Sequence, residues 1–238
     1  MNKELKSFAY VFSHDLQEPL RKIQAFATLL LENEYENLTD EGKGHFKTMQ
    51  NAAKRMQLLI SDLLVYSRTS ISERKYERTA INKLIAEVNM DNKEELAHHH
   101  AVVESETHYT LNIIPFQFHQ PIQNLISNSL KFAVQDREPH IAITSEKGLE
   151  SEFELERLSP TTNYCHIRIS DNGIGFEQKY SDRIFELFQR LHGKDKFQGT
   201  GIGLAIVKKI VENHNGFIAA QGKPNQGATF DIYLPENR

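Results

Sequence analysis

The stretch Phe118–Ala133, FHQPIQNLISNSLKFA, sets Asn124, Asn128, Lys131 and Phe132 at spacings i, i+4, i+7 and i+8. On an α-helix these four side chains share one face. Leu125 and Leu130 lie off that stripe and are expected to pack inward. Two carboxamides, an ammonium group and an aromatic ring make an odd solvated face. They suit a nucleotide: a carboxamide oxygen for Mg2+, a cation for phosphate, and a ring beside a base. Asparagine on an exposed helix is also common as plain surface, so this face alone leaves both readings open.

A second stretch is HIRISDNGIGF, His166–Phe176. Ile167, Ile169 and Asp171 fall on one side of a strand. The two isoleucines mark that side as the buried one, so Asp171 ends a buried face and needs a donor. The exocyclic amine of adenine is such a donor, whereas guanine presents a carbonyl oxygen there. Gly173 and Gly175 allow close backbone approach, although DNG is also an ordinary turn. The third stretch is GTGIGL: Gly199, Thr200, Gly201, Ile202, Gly203 and Leu204. It opens a helical pattern, and N–H groups at a helix start favour phosphate. A dinucleotide fingerprint would need glycine where Leu204 stands and a strand directly before it. A P-loop would need Lys-Ser/Thr after the last glycine. Neither is present.

These stretches need elements to hold them. Leu5, Phe8, Phe12, Leu16, Ile23, Phe26 and Leu30 follow three-and-four spacing over residues 1–34, with a gap around Pro19 and Leu20. Glu36–Gly44 reads as a connector. Phe46, Met49, Ala53, Met56, Ile60 and Leu63 then form a heptad seam to about Ser67. Such a helical hairpin buries little alone; pairing two into a four-helix bundle predicts a homodimer, the alternative being that the hairpin packs on the rest of its own chain. The polar run Ser67–Thr79 marks a boundary. Beyond it, helices are predicted at Ile81–Leu96, Phe118–Phe132 and Leu204–Val211. Strand-like stretches fall in Ala101–Ile114 and at Ile141–Ser145, His166–Ser170, Phe217–Ala220 and Ala228–Leu234, giving helices on a mixed sheet. An amphipathic Arg183–Leu191 followed by a polar run to Gln198 suggests a lid over bound nucleotide.

The order HDLQEP, NLISNSLKF, DNGIGF, FELFQR, GTGIGL resembles the kinase core of two-component sensor histidine kinases, with the H, N, G1, F and G2 boxes in sequence. The H-box wording is similar to that of phytochrome-like kinases. The resemblance covers nearly the whole chain. It implies an α+β protein of two domains. Residues 1–71 would be a dimerisation and histidine phosphotransfer hairpin, and residues 72–238 a Bergerat-type ATP-binding α/β sandwich. It further implies that Asn128 holds Mg2+ and that Asp171 binds the adenine amine. Lys131 would lie near phosphate, Phe132 would flank the base, and Arg190 would reach toward the transferred phosphate. Asn124, Gly173, Gly175, Gly199, Thr200, Gly201, Gly203 and Leu204 complete the expected ATP site.

In that frame His14 is the expected phosphoacceptor and Asp15 its proton partner. Placed two residues from Phe12 and Leu16, His14 points away from the apolar stripe, beside Gln17, Glu18 and Arg21. Pro19 removes a helical N–H and crowds the Asp15 carbonyl, which predicts a bend just after His14. Two departures stand out. Relatives often carry Thr or Asn four residues after the histidine, a position linked to dephosphorylating the partner, where this chain has Glu18. The Val102–Phe116 stretch also lacks a Gly-Asp-Pro-like turn.

The expected function is autophosphorylation of His14 from ATP, then transfer to an aspartate on a response regulator receiver domain. The alternatives are an ATP-binding protein of the same superfamily that does not phosphorylate itself, and a dimeric scaffold without catalysis. A net charge of -4 gives no reason to expect a nucleic acid partner. The single cysteine, Cys165, excludes an internal disulfide and suits a reducing compartment, so a cytoplasmic core is expected. No apolar run approaches the ~20 residues of a membrane span, and a missing upstream sensor region is expected. His98–His100 reads as a solvated run, since three consecutive side chains cannot face one ion.

Overall fold

The computed structural model describes residues 3–69, 75–149, 162–191, 197 and 199–236. Their side chains are described from Leu16 onward, except Arg68 and Leu149. The chain forms two compact units, Met1–Ile71 and Ser72–Arg238. Among the described residues no helix is long and apolar enough to cross a membrane.

The first unit is a hairpin of α1 (Lys3–Asn33) and α2 (Asp40–Thr69). α1 is helical throughout, with Pro19 inside it. The expected connector is shorter than its sequence suggests. Thr39 accepts the Gly42 N–H on its Oγ1 at 3.1 Å, and Asp40 and Glu41 occupy the first turn. A capped N-terminus complemented by acidic residues therefore starts the helix inside the polar run. The hairpin seals itself with few side chains: Leu20, Ala27 and Ala53 are buried, and Gln50 Nε2 donates to Thr28 Oγ1 at 2.9 Å. Leu20, in the gap of the apolar stripe, thus faces inward. The stripe itself is left open, with Leu16, Ile23, Phe26, Leu30, Met49, Met56 and Leu63 exposed.

The second unit is a two-layer α/β sandwich. Its main sheet has the order β2-β4-β5-β7-β6. The strands are β2 (Val102–Glu106), β4 (His140–Leu149), β5 (Asn163–Asp171), β6 (Phe217–Lys223) and β7 (Gly227–Pro235). Only β2 and β4 pair in parallel; the other neighbours are antiparallel. A small sheet pairs β1 (Glu77–Ala80) with β3 (Thr110–Ile113). Alternation along β5 turns Ile167 and Ile169 to the core, beside Ile141 and Ile143 of β4 and Phe230, Ile232 and Leu234 of β7. The helical layer comprises α3 (Ile81–Asp91), the short α4 (Lys93–His98), α5 (Pro115–Lys131) and α6 (Gly203–Asn213). Leu125 and Leu130 of α5 are buried in the core as expected.

The expected single helix Ile81–Leu96 is broken at Asn92. The Asn92 side chain donates to the Val88 carbonyl and exchanges two hydrogen bonds with Gln123, at 2.8 Å each. A side chain that bonds to backbone in this way competes with helix continuation. The amphipathic Arg183–Leu191 forms a single 3₁₀ turn, Arg183–Phe185, rather than a helix. Residues 192–196 and 198 of the expected lid lie outside the described residues.

α5 and α6 run antiparallel and are pinned at both ends. Asn124 Nδ2 donates to the Gly203 carbonyl at 3.0 Å. At the far end the Ile114 N–H donates to His214 Nε2 at 3.0 Å, and His214 Nδ1 lies 2.7 Å from the Ile210 carbonyl. That pair of partners fixes the neutral Nδ1–H tautomer. α6 then stops where Asn215 turns left-handed (φ 57°) before Gly216.

Candidate nucleotide site

The three stretches converge on the last turns of α5. Gln120 Nε2 donates to Asn124 Oδ1 at 3.0 Å, which orients the carboxamide that holds Gly203. One turn on, the half-buried Asn128 side chain makes no hydrogen bond to any described residue. Lys131 places its Nζ against Gly199, where a Cβ would collide with it. The same ammonium lies 4.6 Å from the centre of the Phe132 ring. Burial, and then the Arg190 guanidinium, push the Lys131 pKa below its ordinary value. Two cations are therefore crowded together, as they would be at a phosphate chain. Arg190 also donates through Nη2 to the Phe197 carbonyl. The Phe197 ring leans on Phe132 at 5.0 Å.

The Asp171 loop abuts the end of α5. The Ile174 N–H donates to the Phe132 carbonyl at 2.9 Å. That approach requires glycine at 173, since a Cβ there would stand 2.6 Å from the same oxygen. Asp171 Oδ1 accepts the N–H groups of Gly173 (2.9 Å) and Ala228 (3.2 Å). Asp171 Oδ2 lies 3.2 Å from Ser129 Oγ, which also sits 3.0 Å from the Leu125 carbonyl. Burial raises the Asp171 pKa, against the opposing pull of these three donors. Oδ2 keeps acceptor capacity for one more donor.

The Gly199–Leu204 loop closes the arrangement. Gly199 and Gly201 have φ of 153° and 76°. At Gly201 a side chain would also meet the Gln189 carbonyl at 2.8 Å. Thr200 Oγ1 accepts the Ile202 N–H at 3.3 Å. Gly203 and Leu204 begin α6, whose N-terminus faces this loop. Gly175 turns left-handed (φ 60°) under the Lys223 and Gly227 carbonyls. The structure thus links Asn124, Lys131, Phe132, Asp171, Gly173, Arg190, Gly199, Gly201 and Gly203 through neighbouring contacts, with Asn128 on the same helix, whereas Gly175 packs under the β6–β7 turn. His14 and Asp15 belong to α1 in the other unit, and their side chains, including the expected exposure of His14, lie outside those described.

Sequence reading missed Gln120, Ser129 and Ala228. Gln120 and Ser129 lie on the motif helix, but nothing local marks their partners. Ala228 acts through its backbone, which no residue type reveals. Among the described residues no group of three or more His, Cys, Asp or Glu is placed to hold a metal ion. Burial pushes the Cys165 thiol up to about 12, which leaves it inert.

A mixed sheet with a glycine-rich loop and an asparagine-bearing helix at one end is an arrangement suited to a nucleotide, and its likeness to known proteins gives its class. Residues 114–238 match the family described as histidine kinase-, DNA gyrase B-, and HSP90-like ATPase. Residues 4–70 match the His Kinase A (phospho-acceptor) domain. The chain belongs to the histidine kinase family and forms its catalytic core. The phospho-acceptor match disfavours the reading as a superfamily member without a histidine-bearing hairpin. Cyanobacterial phytochrome A of Nostoc sp. is 37% identical over 98% of this chain. Sensor protein kinase WalK of Staphylococcus aureus is 31% identical over 99% of it. The chain spans only 29% of the phytochrome and 54% of that WalK sequence. The fold is shared with full-length ShkA in complex with AMPPNP (TM-score 0.68, 20% identity, 98% of this chain and 46% of that one). It is also shared with Acinetobacter baumannii histidine kinase AdeS (TM-score 0.63, 19% identity, 92% and 98%).

Proposed function

We propose that the Ser72–Arg238 unit binds ATP with Mg2+ and that the γ-phosphoryl group is transferred to His14. The observation that carries the nucleotide reading is the Asp171 carboxylate. It is half-buried, it is held on Oδ1 by two backbone N–H groups, and its Oδ2 is open to the amine of adenine. Phe132 would flank the base. Lys131 and Arg190 would meet phosphate oxygens, beside the N–H groups that open α6. Asn128, with its carboxamide unengaged, fits one inner position on Mg2+, an ion that takes few protein ligands beside phosphate and water. When bound, the ion neutralises charge on the phosphate oxygens.

The neutral imidazole of His14 would attack the γ-phosphorus in line. A nitrogen–phosphorus bond forms, the bond to the β-phosphate oxygen breaks, and ADP leaves. Asp15 would hold the proton on the other ring nitrogen. The phosphoryl group would pass next to an aspartate of a response regulator receiver domain. We read the core as a cytoplasmic homodimer. The support for the dimer is the uncovered stripe of the hairpin, where Phe26 is 65% exposed and Met49, Met56 and Leu63 stand open on α2. Fully burying one such side chain is worth about 1.5–3 kcal/mol.

The test is incubation with γ-labelled ATP and Mg2+. Wild type acquires acid-labile label, and His14→Ala acquires none. Asn128→Ala loses labelling through loss of Mg2+-dependent ATP use. Label that persists in His14→Ala overturns the assignment of the acceptor.

A further inference from the structure

Arg137 follows α5 in the connection to β4 and belongs to none of the five motifs. Its Nη1 donates to two backbone carbonyls, Asn172 at 2.9 Å and Asn225 at 3.3 Å. Asn172 sits between Asp171 and Gly173. Asn225 sits in the β6–β7 turn with φ 61°. Among the described residues these two carbonyls accept no other hydrogen bond. One guanidinium nitrogen thus ties together two loops 53 positions apart in sequence (225 − 172).

The tie bears on the candidate base site. The start of β7, directly after the β6–β7 turn, supplies the Ala228 N–H that Asp171 Oδ1 accepts. The turn is already pressed on that loop: the Asn225 N–H donates to the Ile174 carbonyl at 2.7 Å, and Gly227 abuts the Asp171 carbonyl. The loop is fixed on its other side by the Asn172 side chain. Its Oδ1 accepts the His140 N–H at 3.0 Å, and its Nδ2 donates to the Glu138 carbonyl at 2.9 Å. Beside Asp171 itself, Arg137 bridges the two sides directly, and as a cation it makes stronger hydrogen bonds than a neutral donor.

We propose that Arg137 is a positioning residue for recognition of the base, holding the β6–β7 turn against the Asp171 loop so that Asp171 stays aimed at the adenine amine. The proposal rests on the reading of Asp171 as the adenine acceptor. Arg137 touches no nucleotide atom itself. It acts on the base end of the site and leaves the phosphate end, at Lys131 and Gly199, alone.

Equilibrium binding of ATP, GTP and inorganic tripolyphosphate to the full chain tests this in wild type, Arg137→Ala, Arg137→Lys and Asp171→Ala. Loss of one or two charge-assisted hydrogen bonds at an exposed site predicts ATP binding about three- to tenfold weaker in Arg137→Ala. The preference for ATP over GTP should narrow, while tripolyphosphate binding stays unchanged. Arg137→Lys, which keeps a cationic donor, should recover part of the loss. Unchanged ATP affinity in Arg137→Ala, with binding lost in Asp171→Ala, overturns the proposal and leaves the base site standing. Equal weakening of ATP and tripolyphosphate also overturns it, because a general loosening would act on both. Unchanged ATP binding in Asp171→Ala removes the base site itself, and the proposal with it.

Discussion

Asp171→Asn separates what the fold wants from what the ligand wants. The new amide is isosteric with the carboxyl. Its oxygen can take the place of Oδ1 and keep the N–H groups of Gly173 and Ala228. Its nitrogen then stands at Oδ2 and donates to Ser129 Oγ, whose own proton is free to go to the Leu125 carbonyl. Every group that hydrogen-bonds to the Asp171 side chain thus keeps a partner. The adenine amine, however, now meets a donor instead of an acceptor. Losing a hydrogen bond to a charged group removes about 1.5–3 kcal/mol, and leaving the opposed donors unpaired costs about 1–3 more. Together these predict ATP binding weaker by a factor of about 10²–10⁴. GTP, with a carbonyl oxygen at that position of the base, should lose less or gain.

Stability should move the other way. The Asp171 pKa is raised above its ordinary 3.8, mainly by burial. A raised carboxyl pKa means that folding favours the protonated form. The associated stability is full below the unfolded pKa and is lost as pH rises through the folded one. At neutral pH the wild type therefore carries a penalty that Asp171→Asn lacks. Urea denaturation of nucleotide-free protein should give the variant an equal or higher midpoint at pH 7, with the advantage vanishing below about pH 3.8. ATP binding by wild type should weaken as pH falls toward that window, since the acceptor becomes protonated. The reasoning is refuted if Asp171→Asn binds ATP within threefold of wild type. It is equally refuted if the variant is markedly less stable at pH 7, which would show that the carboxylate is itself a structural partner.

His214→Phe keeps a ring between Tyr76 and Phe118 but leaves the buried Ile114 N–H without its acceptor. A loss of about 1–3 kcal/mol in denaturant stability is expected, with weaker ATP binding because the same contact fixes α5 against α6. An unchanged midpoint would show that Ile114 finds another partner. In the hairpin, Phe26→Glu combined with Met56→Glu should convert a homodimer to a monomer by light scattering, while leaving nucleotide binding intact. A wild-type chain that is monomeric at tens of micromolar would remove the basis for that prediction.

The sequence legibility of this molecule follows the range of its contacts. The α5 face was readable because its four residues span nine positions, and helical spacing decides which side chains share a face. Asp171 was readable because strand alternation carries Ile167 and Ile169 directly to it. Asn92 was not, because its partner Gln123 lies 31 positions away. The apolar period runs straight across Asn92, from Val88 to Leu96, without a local stop. His214 shows the same limit at 100 positions from Ile114. The α1 stripe shows a different one. Periodicity establishes that Phe26 and Ile23 share an apolar face, but not what covers it. Within the hairpin that work falls to Leu20, 7% exposed, while Phe26 stays 65% exposed. An apolar face left uncovered within its own hairpin is the same kind of evidence as an odd polar face with an unengaged carboxamide. Each is a surface whose composition fits the partner proposed for it: a second hairpin in one case, a nucleotide in the other.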